Sequence, residues 1–190
     1  MKAKALALLG ALALTLGATA PANAYTQEVV GQWTEPPQFN YIKNIPSPLN
    51  SQVVAYVSIG TTMYRIKMRA GSGNGNKNEC TNNQGWLPDG VYSNTDADGN
   101  SHFKHYNKTW GHTVVRGWVW ELGNKKTRCG NMRTELFIHS QGTSGWSDSN
   151  YRSEGCIKIN QVDRTFLHNQ FARSYQPTKG YLSVWGSGGT

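Results

Sequence analysis

Two side chains in the C-terminal half of the chain could do covalent chemistry. Cys156 sits in Ser-Glu-Gly-Cys-Ile-Lys-Ile, and His139 ends the apolar run Thr-Glu-Leu-Phe-Ile-His. A thiol attacks as thiolate, so it needs a lowered pKa or a base within reach. If the two runs are neighbouring strands, imidazole and sulfur meet at one end of a sheet, with residues 140–155 as the loop between them. Gly155 permits a sharp turn there. The backbone N–H groups of Gly155 and Cys156 can then converge on an oxyanion. The second imidazole nitrogen needs an orienting acceptor, and the Ser140 carbonyl is the candidate by position. A structural cysteine beside an ordinary histidine accounts for the same residues without chemistry.

Three cysteines leave one over from any pairing. Cys80 and Cys129 lie in polar, loop-like surroundings that suit a surface disulfide, whereas Cys156 lies between a tight turn and an apolar alternation. The expected pairing is Cys80–Cys129, with Cys156 free. Other chemistry-bearing residues are weaker candidates. His102, His105 and His112 lack the spacing of a zinc site, and no metal is expected. His105 or His112 could still line a cleft from a neighbouring strand. Glu135 and Asp163 are isolated carboxylates with local roles. Trp110, Trp118, Trp120 and Trp146 could stack on sugars, although core filling explains them as well. Trp146 precedes Cys156 in the same loop and is the one best placed to meet a substrate.

The elements that must position these residues read as strands. Gln-Val-Val-Ala-Tyr-Val-Ser-Ile, Thr-Met-Tyr-Arg-Ile-Lys-Met and His-Thr-Val-Val-Arg-Gly-Trp-Val-Trp-Glu-Leu come first; Thr-Glu-Leu-Phe-Ile-His, Cys-Ile-Lys-Ile and Tyr-Leu-Ser-Val-Trp follow. Each is bounded by Gly, Asn, Asp or Pro. Ser-Ile-Gly-Thr-Thr reads as a hairpin turn between the first two. Residues 160–175 are the one good helix candidate, with Val162, Phe166, Leu167 and Phe171 near helical spacing and Asn160 as cap. Residues 68–90 read as a long Gly/Asn-rich loop. The expectation is one mostly-β domain, a sandwich or barrel, with a single short helix after the cysteine.

The N-terminus carries Lys2 and Lys4, an apolar stretch and Ala-Asn-Ala at Ala22–Ala24. That pattern predicts a secretory signal peptide over 1–24, and hence an exported chain in an oxidising compartment. Residues 25–49, spaced by prolines, read as an irregular lead-in, and 50–190 as the functional domain. The formal charge is +8, or +6 without Lys2 and Lys4. It is scattered, with no basic helix or arginine run. A solvated basic surface is the plain reading, and nucleic acid is not an expected partner.

Phe-Ile-His-Ser-Gln-Gly followed by Ser-Glu-Gly-Cys-Ile-Lys-Ile resembles the catalytic segment of YkuD-type L,D-transpeptidases. His139-Ser140 matches the family's first motif; Ser153, Gly155, Cys156 and Ile157 match the second. Leu-Pro-Asp-Gly-Val-Tyr resembles an upstream family segment through Pro88, Gly90 and Tyr92. The likeness spans roughly residues 50–172. Glu154 stands where the family usually has histidine, and Lys158 where it usually has arginine, so the chain reads as a divergent member. The resemblance implies a cofactor-free, monomeric exported enzyme acting on peptidoglycan stem peptides. Cys156 would form a thioester, with His139 as base, the Ser140 carbonyl orienting it, and Gly155 shaping the oxyanion site. Ser153, Lys158, Trp146, Tyr92 and His112 would line the substrate. An amine acceptor would give a 3→3 crosslink and water a carboxypeptidase. Carbapenems would acylate the same thiol. A non-catalytic, aromatic-rich glycan-binding β-domain is the reading from another class.

Overall fold

The computed structural model describes residues 25–95, 100–111, 115–140 and 150–186. Among these residues, ten strands and one α-helix follow one another. The strands are β1 (Tyr25–Gly31), β2 (Gln38–Ile42), β3 (Ser51–Ile59), β4 (Thr62–Ser72) and β5 (Gly90–Ser93), then β6 (Ser101–Lys108), β7 (Gly117–Lys126), β8 (Met132–Ser140), β9 (Ile157–Ile159) and β10 (Tyr181–Trp185). Helix α1 (Gln161–Ala172) lies between β9 and β10. The fold is mostly β, as the alternating apolar runs require.

The strands form one sheet in the order β5-β10-β2-β3-β4-β9-β8-β7-β6, with β1 added to β4. Most pairings are antiparallel; β10 on β2 and β8 on β9 are parallel. The sheet curls until its two ends meet, so it is nearly a closed barrel. Asn94, just past β5, ties them: its Oδ1 accepts from the Phe103 N–H of β6 at 3.1 Å, and its Nδ2 donates to the Phe103 carbonyl at 3.3 Å. A curled sheet leaves no long unpaired edge and encloses one apolar interior. Phe39, Phe103, Trp120 and Phe171 pack there ring on ring, with centroids 5.1 to 6.1 Å apart. The aliphatic side chains of Val53, Ile66, Leu122, Leu136, Ile138, Ile157 and Leu182 surround them, all 0–1% exposed.

Helix α1 begins where the sequence signals it. The Asn160 side chain accepts the Val162 N–H at 2.8 Å and satisfies one of the unpaired donors of the first turn. Leu167 and Phe171 face the core, while Val162 is exposed. Phe166 is held by Tyr25, whose ring stacks on it at 3.8 Å.

That contact corrects the reading of residues 25–49 as irregular. This stretch supplies β1, paired to β4 with a bulge at Val30, and β2, paired between β10 and β3. Their polar residues and flanking prolines hid them: β1 is mostly exposed, and β2 alternates in only five residues. The long loop is stapled by a disulfide between Cys80 and Cys129, as expected, and Cys156 is the free cysteine. No helix among the described residues is long and apolar enough to cross a membrane. Residues 1–24, where the sequence pattern predicts a signal peptide, lie outside the described residues.

Candidate active site

The parallel pair β8–β9 positions the two candidate reactive groups. Ile138 lies opposite Ile157, and His139 opposite Lys158. Side chains alternate along a strand, so Leu136 and Ile138, with Ile157 and Ile159, point into the core. Phe137, His139, Cys156 and Lys158 take the other face. There they line one cleft of about 620 Å³, together with Asn83, Lys108, Glu135, Asn150, Arg152, Ser153 and Glu154.

His139 is buried, and its Nδ1 lies 2.8 Å from the Ser140 carbonyl. A carbonyl only accepts, so Nδ1 carries the hydrogen. Nε2 is then the basic nitrogen of the neutral ring. The Ser140 carbonyl thus stands where the sequence reading puts an acceptor for the second imidazole nitrogen. Its own residue is fully buried.

Gly155 makes the turn before Cys156 with φ +117, a conformation that L side chains rarely adopt. A Cβ there would sit 2.0 Å from Arg133 Nη2. Three side chains brace this turn. Arg133 donates to the carbonyls of Glu154, Glu79 and Thr81, joining the cysteine loop to the stapled loop. Buried Ser72 donates to the Gly155 carbonyl at 3.0 Å. Ser153 Oγ donates to the Cys156 carbonyl at 2.6 Å, and accepts from the Gly73 and Gly155 N–H groups. The peptide is planar and trans, so the Cys156 N–H points away from Ser72. Of the two donors expected to build an oxyanion site, the Gly155 N–H is therefore engaged by Ser153, and the Cys156 N–H is the one turned elsewhere. Ser153 lines the cleft and at the same time holds its wall.

The Cys156 thiol donates to the Glu135 carbonyl, with sulfur and oxygen 3.5 Å apart. Glu135 has φ +55, a left-handed backbone in a non-glycine residue. Such strain is uncommon in mid-strand and here aims a carbonyl at the sulfur. Burial pushes the thiol up to about 11, against the Phe137 N–H and Arg133, which favour thiolate; Glu154 and Glu135 add to the rise. At neutral pH the sulfur is a thiol, not one half of a standing ion pair.

One substrate-side expectation comes out differently. Tyr92 is fully buried in the core, and its hydroxyl donates to the Pro88 carbonyl at 2.9 Å, so it does not line the cleft. The residue that matched an upstream pattern is a packing residue. Trp146 and His112 lie outside the described residues. Lys158 is buried in the cleft wall. His105, Trp118 and Trp120 gather on the helix side instead. Trp118 stacks on His168 at 3.8 Å, and His105 stacks on Trp118 at 5.1 Å. The sequence reading passed over Lys108, Arg133 and Glu135 as site residues. They reach the site through strand register and loop closure, which no local pattern encodes. Among the described residues no cluster of three or more His, Cys, Asp or Glu could hold a metal.

No protein-family model matches the chain, and no curated protein matches it. Among solved structures, the chain is similar to Bd1075 of Bdellovibrio bacteriovorus at 9% identity and a TM-score of 0.48. The match covers 83% of this chain and 54% of that one, so the chain spans about half the length of that protein. A likeness this distant carries no argument about chemistry, and the site rests on its own geometry.

Proposed function

We propose that the chain is an exported cysteine acyltransferase of L,D-transpeptidase type, acting on peptidoglycan stem peptides through a Cys156 thioester. One observation carries the reading: an imidazole held by its Nδ1 on a main-chain carbonyl lines the same cleft as the free thiol, on adjoining parallel strands. That is the arrangement of a nucleophile, a base and an orienting group.

The thiol is neutral at rest, so proton transfer accompanies attack. Cys156 turns its hydrogen from the Glu135 carbonyl to His139 Nε2 as the sulfur adds to the carbonyl of an L-residue. The Cys156 N–H supports the oxyanion. The C–N bond to the following D-residue breaks, and its amine leaves with the proton from His139. An amine or water then attacks the thioester, gives its proton to His139, and returns the thiol. An amine acceptor yields a crosslink, and water yields a carboxypeptidase. The disulfide fits an oxidising destination.

Incubation of residues 25–190 with a disaccharide-tetrapeptide, followed by mass analysis, tests this. The expected products are a crosslinked dimer or a tripeptide, with a carbapenem adduct on Cys156. Both disappear in Cys156→Ala. Unchanged product in that variant, or no product and no adduct in the unmodified protein, ends the proposal.

A second reading, a glycan-binding domain without chemistry, has one observation in its favour. The outer face of β10, β2, β3 and β4 forms a concavity of about 520 Å³ that carries Trp185, 62% exposed, beside Asn40, Gln52, Tyr56 and Ser183. Aromatic rings beside planar amides suit a sugar surface. The same product analysis separates the two readings.

A further inference from the structure

Lys108 ends β6 and is 8% exposed. Its ammonium stands 4.5 Å from the Trp110 ring centroid and 5.3 Å from that of Phe137. No carboxylate among the described residues forms an ion pair with it. It lines the cleft that holds His139 and Cys156. Phe137, the ring beneath it, also reaches the sulfur through its backbone N–H. A lysine this buried normally has an anionic partner, because taking an ammonium out of water is costly. Two aromatic rings offset part of that cost and fix the position, yet they leave the charge in place.

We infer that Lys108 is the carboxylate-binding residue of this cleft, and that its ligand is the free α-carboxylate at the C-terminus of a stem peptide. This rests on the reading of the cleft as a stem-peptide site. The ammonium offers three donors to a carboxylate and is carried by a mostly buried side chain, so an incoming anion interacts with it more strongly than with a fully exposed lysine. The other cations of the cleft are differently placed: Arg152 is exposed, and Lys158 has interactions of its own. Glu135 and Glu154 line the same cleft and would repel a carboxylate set down near them. The cleft therefore selects where the peptide's terminus lies. A substrate ending in an amide loses the contact and leaves the lysine buried without a partner.

Binding without turnover isolates this role. Titration calorimetry of the Cys156→Ala protein would compare a stem tetrapeptide ending in a free carboxylate with the same peptide as its C-terminal amide. The acid is expected to bind about tenfold or more tighter, as for a hydrogen bond to a charged group. Adding Lys108→Met, which keeps the buried stem, removes the difference. Adding Lys108→Arg, which keeps the charge, preserves most of it and shows that the site survives substitution. Equal binding of acid and amide, an unchanged ratio with Lys108→Met, or no measurable binding of the acid overturns the inference. A Lys108-dependent preference in a protein whose wild type forms no thioester would instead sink the acyl-transfer reading and leave the carboxylate site standing.

Discussion

At the scale of single residues, the proposed acyl transfer depends on a thiol that is protonated at rest. Burial pushes the Cys156 thiol up to about 11, above the ordinary thiol range. The thiolate fraction then grows with pH across the whole neutral range. Alkylation by neutral iodoacetamide should accelerate roughly tenfold per pH unit between about pH 7 and 10, since only the thiolate reacts. Mass spectrometry of Cys156 against time at each pH measures this. A rate that is level from pH 6 to 8 would mean a preformed thiolate–imidazolium pair. Residue identities near the reactive pair were legible because their chemistry is local. His139 and Ser140 are neighbours in sequence, and Gly155 adjoins Cys156. Lys108 and Arg133 were not legible: each meets the site from a strand whose register depends on the whole sheet. Tyr92 shows the converse, a residue in a matching pattern whose ring the fold needs in its core.

At the scale of elements, one turn decides whether the sulfur faces its cleft. Residues 153–156 carry no regular structure, and their conformation is set by contacts from β4, β8 and the stapled loop. Ser153→Ala removes one hydroxyl that serves three main-chain groups. It should cost about 1–3 kcal/mol by stranding partly buried polar groups, and lower turnover more than it lowers folding. Gly155→Ala adds a methyl where Arg133 Nη2 lies, on a backbone that disfavours any side chain. It should cost at least as much and abolish thioester formation. Urea unfolding of each variant, paired with the mass of the carbapenem adduct, separates loss of fold from loss of aim. Adduct formation at the wild-type rate in Gly155→Ala would show that the turn is not what presents the sulfur. The strands of this region were readable from their alternation. The bracing was not, because Ser72 and Arg133 look in sequence like any polar residues of a strand.

At the scale of the whole molecule, the site is held by a barrel-like sheet whose one helix follows directly from the cysteine strand. Helix α1 docks on β6 and β7 through a pair of imidazoles: His168 Nδ1 and His105 Nε2 lie 3.2 Å apart, with Trp118 against both rings. One imidazole must donate and the other accept, so the pair requires at least one neutral ring. Burial, and then the neighbouring His168, lowers His105 from its ordinary 6.5 to about 4. Burial, and then Arg164, lowers His168. Phe171 and Trp120 complete the surroundings of His105 with uncharged rings. Above pH 6.5 both folded and unfolded chains hold these imidazoles neutral, and the pair contributes its full stability. As pH falls toward 4, the unfolded chain takes up protons that the folded chain refuses. Stability is therefore lost across that window, with a slope of at most ~1.4 kcal/mol per pH unit for each such group. Urea midpoints measured from pH 7 to 4 should fall for the wild type and fall less steeply for His105→Gln, which cannot titrate. Identical slopes in the two proteins would mean that the helix is not held by a neutral pair. Because α1 begins one residue after β9, an early loosening of the helix should also release the strand behind Cys156. Thiol labelling at pH 5 should then rise in step with unfolding of α1, before the sheet itself gives way.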